Sequence, residues 1–198
     1  MRRRPTLAIL FLALGLAAGC GTSPPSRFYT LDATATSTST SAQSTLLIAV
    51  GPVTVPAVVD RPEFVVSAGP NEVRIDDFNR WASPIQDGVS RAVAENLVAI
   101  LGTPRVIRFP QALATEPDYR VAIEVRTFES APGRSAALDA VWTIRRSGDG
   151  KTRTGRTSVR ESVPETGYDA LAAAHSRAIA QASQDIANAI LALQRGTP

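Results

Sequence analysis

Few side chains in this sequence could do chemistry on a substrate. Cys20 is the only cysteine and His175 the only histidine. A nucleophilic site needs a thiol or hydroxyl within reach of a base, and a third group to orient that base. Ser176 follows His175, but adjacent helix residues point roughly 100° apart and do not face each other. Leu171 and Ile179 stand four residues either side of His175. That spacing puts the imidazole beside an apolar stripe, a structural position. One histidine and one cysteine cannot build a zinc site. Asp76 and Asp77 are adjacent on a strand end and project to opposite faces. There is no Gly-x-Ser-x-Gly turn, no phosphate-binding glycine loop and no metal-loop spacing of acids. The expectation is a protein that is not an enzyme, with no catalytic residue, no metal site and no cofactor.

The one reactive atom in a telling context is the Cys20 sulfur. Arg2, Arg3 and Arg4 open the chain, an apolar run follows from Leu7 to Leu16, and Ala17-Ala18-Gly19 closes it. A positive start, a short apolar core and a small-residue cleavage site describe a secretory leader. The run is too short for a spanning helix, which needs ~20 residues. Ala17-Ala18-Gly19-Cys20 resembles a bacterial lipobox, with Ala17 where Leu is usual. Cleavage before Cys20 would leave its thiol to receive a diacylglycerol. Two or three acyl chains on one residue exceed the two-signal requirement for stable anchoring. Once acylated, Cys20 leaves no thiol for a disulfide. Gly21, not Asp, follows it, which favours the periplasmic face of the outer membrane. The alternative is a plain leader with an incidental cysteine.

The leader also accounts for the charge. The full chain carries 21 Lys and Arg against 18 Asp and Glu, a net charge of +3. Removing Arg2, Arg3 and Arg4 leaves a balanced mature chain, which gives no general attraction to phosphate backbones and no nucleic-acid function. The expected organisation is a leader over 1–19, a lipidated N-terminus and flexible tether over 20–45, and one domain over 46–198. The tether rests on the Ser/Thr/Ala tract from Ala33 to Ser44, which has no periodicity. Within it, Phe28 to Leu31 could form a short edge strand.

The domain alternates between strand and helix patterns. Leu46 to Val55 is dense in β-branched residues and predicts a buried strand, weakened by Pro52 and Pro56. Glu63 to Ala68 and Glu72 to Asp76 flank Gly69-Pro70-Asn71, a hairpin signature. Ser83-Pro84-Ile85-Gln86 reads as a capping box with Ser83 at the cap. Ile85, Val89, Val93, Leu97 and Ile100 then repeat at helical spacing, and Gly102 and Pro104 stop the helix. A strand over Arg105 to Phe109 completes a parallel crossover unit. Tyr119 to Glu129 alternates, with Tyr119, Val121, Ile123, Val125 and Thr127 on one face. Ala136 to Arg146 and Lys151 to Ser162 continue a meander through the Ser147-Gly148-Asp149-Gly150 turn. Tyr168 to Gln194 is a long alanine-rich helix. The predicted fold class is three-layer α/β, with a mixed β-sheet of about six or seven strands and two long amphipathic helices.

Two stretches could meet a partner. Asp60-Arg61-Pro62 lies with Arg80-Trp81 on either side of the hairpin. A tryptophan before a helix fills the seam between helix and sheet, and the arginines can pair with nearby carboxylates. Alternatively, Asp60, Arg61, Arg80 and Trp81 form a recognition patch, since Arg and Trp often anchor interfaces. The second stretch is Arg145, Arg146, Lys151, Arg153, Arg156 and Arg160. It is either a solvated strand whose charges block edge pairing or a surface for an anionic partner or lipid headgroups.

Several segments together resemble the ABC-type transport auxiliary lipoprotein family, of the paraquat-inducible protein C type. They are Phe28-Tyr29-Thr30-Leu31, Val59 to Val65, Arg80-Trp81-Ala82-Ser83-Pro84-Ile85, Glu95-Asn96-Leu97, Leu138 to Trp142, Tyr168 to Leu171 and Ala174-His175-Ser176. Their order and spacing carry the likeness, which spans almost the whole mature chain. The family usually has an acid where Ser83 stands. The resemblance implies a non-enzymatic outer-membrane lipoprotein working with an inner-membrane ABC transporter and its periplasmic MCE-domain (mammalian cell entry) protein to move lipids between membranes. A structural or assembly lipoprotein of the envelope, without a lipid-transport role, is the alternative. The oligomeric state, including a homo-oligomer, stays open.

Overall fold

A computed structural model describes residues 24–36, 44–109 and 116–196. Cys20, its leader and much of the Ser/Thr/Ala tract lie outside the described residues. Among the described residues eight strands and two helices follow in the order β1 (Arg27–Tyr29), β2 (Ile48–Thr54), β3 (Glu63–Gly69), β4 (Glu72–Trp81), α1 (Ile85–Leu101), β5 (Val106–Arg108), β6 (Tyr119–Ala131), β7 (Ser135–Arg146), β8 (Thr152–Ser162) and α2 (Tyr168–Arg195). The class is the expected three-layer α/β arrangement with mixed strand directions. The strands do not form one sheet, however. They divide into a five-stranded sheet, β5-β2-β6-β7-β8, and a three-stranded sheet, β1-β4-β3.

The large sheet follows from local pattern. β2 pairs in parallel with both β5 and β6, and β6, β7 and β8 form an antiparallel meander. Tyr119, Val121, Ile123 and Val125 of β6 face the core, as do Ala136, Leu138, Ala140, Trp142 and Ile144 of β7. The alternation then breaks. The β6–β7 register shifts between Val125 and Thr127. A bulge inserts one extra residue and reverses which face later side chains take. Phe128 and Ser130 therefore turn inward, 5 % and 3 % exposed, in place of the Thr127 that strict alternation predicts.

Both helices bury their apolar stripes in this core, with Val89, Val93, Leu97, Ile179, Ile186 and Ile190 all at most 2 % exposed. α1 ends at Gly102, whose φ of 63° is the left-handed cap conformation that glycine adopts without a Cβ clash. Its start differs from the capping box expected at Ser83. Pro84 is the N-cap residue and no side chain caps the helix. Gln86 does not reach back along the chain; its Nε2 donates across to Asp60 Oδ2 at 3.0 Å.

The N-terminal segment departs most from expectation. β1 pairs in parallel with β4, Arg27 opposite Asn79 and Tyr29 opposite Trp81. Leu31 is 2 % exposed. The Asp32 amide donates to Ser176 Oγ at 3.0 Å, and the Thr34 and Ala35 amides donate to Asn96 Oδ1 at 3.1 and 2.9 Å. Residues 27–35 are thus strapped across both helices, and the folded unit begins well before residue 46. Composition does not show this strap, because the hydrogen-bond acceptors for this backbone come from distant helices, Asn96 on α1 and Ser176 on α2; residues 37–43 of the expected tether lie outside the described residues.

Candidate functional site

The β3–β4 hairpin and the loop before it bring Arg61 and Arg80 together around the Glu63 carboxylate, with Asp60 beside them in the loop and Trp81 turned into the core. Glu63 and Arg80 are register partners across the hairpin. Arg80 Nη2 lies 2.6 Å from Glu63 Oε1, and Arg61 Nε 3.3 Å from Glu63 Oε2. The Glu63 carboxyl is held below its ordinary range by its own backbone amide, then by Arg80 and Arg61, against the opposing pull of desolvation. The Arg61 and Arg80 side chains are 40 % and 35 % exposed. Their outer surfaces can still donate to a partner while one edge holds Glu63. Asp60 is fixed by Gln86 at the start of α1. The loop is tied by the Trp81 amide donating to the Pro62 carbonyl at 2.7 Å.

Trp81 stands apart from the other three. It is 6 % exposed and belongs to the core, not to a recognition surface. Its ring stacks on Phe64 at 4.2 Å and meets Phe128 and His175 edge-on at 6.0 and 6.5 Å. Phe64 in turn contacts Tyr29 and Tyr168 edge-on. This aromatic cluster joins the small sheet to β6 and α2. It makes the platform under Arg61 and Arg80 rigid.

His175 is fully buried and stacks flat on Phe128, with ring centroids 3.8 Å apart. Burial pushes its pKa down to about 3, so the ring is neutral. Its Nε2 is hydrogen-bonded to Ser130 Oγ at 2.8 Å, a pairing made by the β6 bulge and invisible in local sequence. Phe128 was the available signal: a large aromatic out of phase with the alternation before it. Ser130 and His175 are both buried, so neither presents a reactive atom to a ligand. Ser176, sequence neighbour of His175, instead donates to the Ala172 carbonyl at 2.9 Å. Among the described residues no group of acids, His or Cys could hold a metal ion.

The basic run on the last hairpin is largely neutralised within the fold. Arg156 makes a bidentate pair with Asp139, at 2.8 and 2.7 Å. Arg146 bonds Asp149 and donates to the Leu193 carbonyl at the end of α2, and Arg160 lies 3.6 Å from Glu129. Exposed pairs of this kind are screened by solvent and add little stability. They reduce the positive charge of the run, while Arg146 and Lys151 share one carboxylate, Asp149.

Two clefts flank the Asp60 loop. One, of about 630 Å³, is lined by Gly51, Pro52, Gln86, Asp87, Ser90 and Arg108, and reaches Phe109 at the edge of the described residues. The other, of about 340 Å³, lies between the hairpin and β6 and is lined by Val58, Val65, Val73 and Phe128 among others. The second cleft also has Glu72, Arg126, Glu129 and Ser130 in its lining, with the Ser130 hydroxyl bonded to His175.

The fold and this surface define a class: an α/β domain with a sealed aromatic core and a polar loop held out over it. More specifically, the chain belongs to the family of ABC-type transport auxiliary lipoprotein components, whose model matches residues 29–187. That match begins inside β1, in agreement with the strapped N-terminal segment. Two solved structures share the fold. Protein XCC0632 from Xanthomonas campestris, of family DUF330, is 21 % identical, with a TM-score of 0.70 over 86 % of this chain and 98 % of that one. An uncharacterized protein is 20 % identical, with a TM-score of 0.68 over 84 % and 99 %. The PelC dodecamer from Paraburkholderia phytofirmans matches more loosely, at 13 % identity and a TM-score of 0.42 over 68 % and 82 %. No curated protein matches the chain. Among the described residues no helix is long and apolar enough to cross a membrane.

Proposed function

We propose that this lipoprotein is the outer-membrane-anchored accessory component of an ABC/MCE-type system that moves lipids between membranes. The observation that carries the reading is the family match over residues 29–187. Supporting it are the lipobox-like Ala17-Ala18-Gly19-Cys20, which makes Cys20 the candidate for acylation, and Gly21 after it, which favours the outer membrane. The protein acts without catalysis: its one Ser–His pair is sealed in the core, and its exposed groups suit recognition. Asp60, Arg61 and Arg80 form the partner patch, with Trp81 supporting them from beneath.

Two measurements test this. Fractionation with a labelled fatty acid is expected to place the wild-type chain in the outer membrane and to release Cys20→Ala into the soluble fraction. A pull-down with a periplasmic MCE-domain protein from the same cell is expected to lose affinity about tenfold on Arg61→Gln, with an unchanged circular dichroism melt. Wild-type affinity in that variant removes the patch. An acylated chain that binds no MCE protein, and whose loss leaves lipid transport intact, favours an envelope assembly role.

A further inference from the structure

Among the described residues the two sheets end in four edge strands, β1, β3, β5 and β8. Three of these are poor templates for another strand. β1 and β5 are only three residues long, and the β3 ladder shifts register twice. β8 differs. It runs for 11 residues from Thr152 to Ser162 without a proline. Its ladder with β7 holds one register from Ser135–Ser162 to Arg145–Thr152. A long, regular edge invites a further strand unless its side chains forbid one. Two ladder bonds show which backbone groups are free. The Arg146 amide donates to the Lys151 carbonyl at 2.8 Å, and the Val163 amide to the Arg134 carbonyl at 3.0 Å. In an antiparallel ladder, residues alternate between exchanging both bonds with the neighbour and turning both groups away. The odd-numbered residues of β8 therefore bond β7. Thr152, Thr154, Arg156, Ser158, Arg160 and Ser162 turn their amides and carbonyls to the open edge, and all six are exposed.

The charges on β8 select what can pair there. On the outer face Arg156 is held by Asp139, and Arg160 by Ser135 and Glu129. The other face turns toward α2, where Thr157 donates to Asp185 Oδ2 at 2.6 Å. On that side Glu161 Oε2 accepts from Arg177 Nε at 2.8 Å, which leaves Oε1 open. The ion pairs of β8 use Arg156, Arg160 and Glu161; among the described residues Arg153 has none. A second copy of the strand, antiparallel about a two-fold axis, fits this pattern. The free groups lie at even positions, so a ladder forms only in registers that oppose even with even. The register centred on Thr157 uses the whole strand. Thr152 then meets Ser162, Thr154 meets Arg160, and Arg156 meets Ser158. No arginine faces an arginine directly, and on the α2 side Arg153 faces Glu161 of the partner copy. Moving the axis by one residue sets Arg156 opposite itself or opposite Arg160, and like charges directly opposite are destabilising. We propose that β8 is a homodimer interface, in which two copies pair edge to edge, antiparallel and centred on Thr157, and join their five-stranded sheets into one continuous sheet.

An isologous contact of this kind closes at two copies, because each uses the same strand against itself. It leaves the Arg61–Glu63–Arg80 patch free, since that patch belongs to the other sheet. It requires neither acylation of Cys20 nor a transport role. The two Arg156 side chains stand diagonal to each other across the axis, and Asp139 already holds each of them.

The test uses the chain from residue 20 onward with Cys20→Ser, which has no thiol. Sedimentation velocity at rising concentration is expected to show a monomer–dimer equilibrium. Ser158→Pro removes an amide from the open edge and none from the β7 ladder, a position where an edge strand accepts proline. It is expected to weaken the dimer at least tenfold with an unchanged circular dichroism melt. Arg153→Glu sets carboxylates opposite each other and should weaken it at least as much. Arg145→Glu, the same charge change on β7, should alter it less than twofold. If Ser158→Pro lowers the melt, the contrast between positions 153 and 145 decides. The register is read by spin labels on Thr152→Cys. In the proposed dimer the two labelled positions stand roughly 33 Å apart along the ladder, and moving the axis by one residue changes this by about 7 Å. A chain that stays monomeric at about 200 µM overturns the proposal. So does an assembly that survives both Ser158→Pro and Arg153→Glu, or a label distance that fits another register. A monomer that instead binds an MCE-domain protein through this edge, and loses it on Ser158→Pro, assigns the edge to that partner and overturns the dimer.

Discussion

The two sheets of this protein treat their solvent faces in opposite ways. The outer face of β8 carries Thr152, Thr154, Arg156, Ser158 and Arg160, all exposed, with Arg156 locked onto Asp139. The small sheet instead leaves Phe28, Val73, Ile75 and Phe78 exposed. The large sheet is finished as a water-facing surface, polar outside and apolar inside, the pattern of an antiparallel sheet with one solvated face. The small sheet mixes exposed apolar and charged side chains, and its β3 side chains Phe64, Val65 and Val66 are all buried. The large sheet thus stabilises the domain, and the small sheet carries the Arg61–Glu63–Arg80 patch.

The largest effect should come from the inner side of the small sheet. Trp81→Ala removes the ring stacked on Phe64 and opens a cavity beside Phe128 and His175. A loss of about 3–5 kcal/mol is expected, seen as a melting temperature lower by roughly 10 °C or more. Ile75→Ser, on the other side of the same sheet, should change stability by no more than about 0.5 kcal/mol. Similar costs for the two would erase the distinction between the faces.

Next is a glycine in the large sheet. A Cβ at Gly155 would lie 2.2 Å from the Trp142 ring, which is buried beneath it and donates from Nε1 to Thr157 Oγ1 at 3.1 Å. Gly155→Ala must push that ring aside, an overpacking cost of about 1–3 kcal/mol, readable by urea denaturation. Gly148, which has no neighbour within 4 Å, should accept alanine with little change.

His175 sits where the two regions meet, and it predicts a pH dependence. Burial lowers its pKa from 6.5 to about 3. Between those values the unfolded chain binds the proton and the native chain does not. The His175 contribution therefore falls as pH drops below 6.5, by about 1.4 kcal/mol per unit until pH 3. Thermal melts at pH 7.5 and 5.5 should show this loss, and His175→Gln should flatten it. An unchanged slope in the variant would assign the dependence to other groups.

The smallest effect belongs to the junction between β4 and α1. Ser83 makes no cap bond there, so Ser83→Ala should shift stability by less than about 0.5 kcal/mol, against the ~1 kcal/mol typical of a true cap. A full capping loss in the melt would restore the capping-box reading.

Legibility in the sequence followed the range of the interactions. The strands from Tyr119 to Ser162 and both helices were readable because each shows its burial in its own period. The candidate patch was half readable. Arg61 and Arg80 could be named from residue type, but Glu63, which organises them, looked like one more charged strand residue. Trp81 illustrates the same limit: its position before a helix permits a surface or a core role, and only Phe64 and Phe128 packed against it decide for the core.

By itself the sequence determined the polarity of the long strands, the helix stripes and the family resemblance. These are written in neighbouring residues and need no distant partner. Tertiary structure alone decided that β1 joins β4, that Asn96 and Ser176 strap residues 32–35 across the helices, that a bulge aims Ser130 at His175, and that eight strands divide between two sheets. Each of these depends on groups many tens of residues apart in the chain. No local periodicity specifies such a contact, because its energy exists only once the chain has closed the loop that brings the partners together.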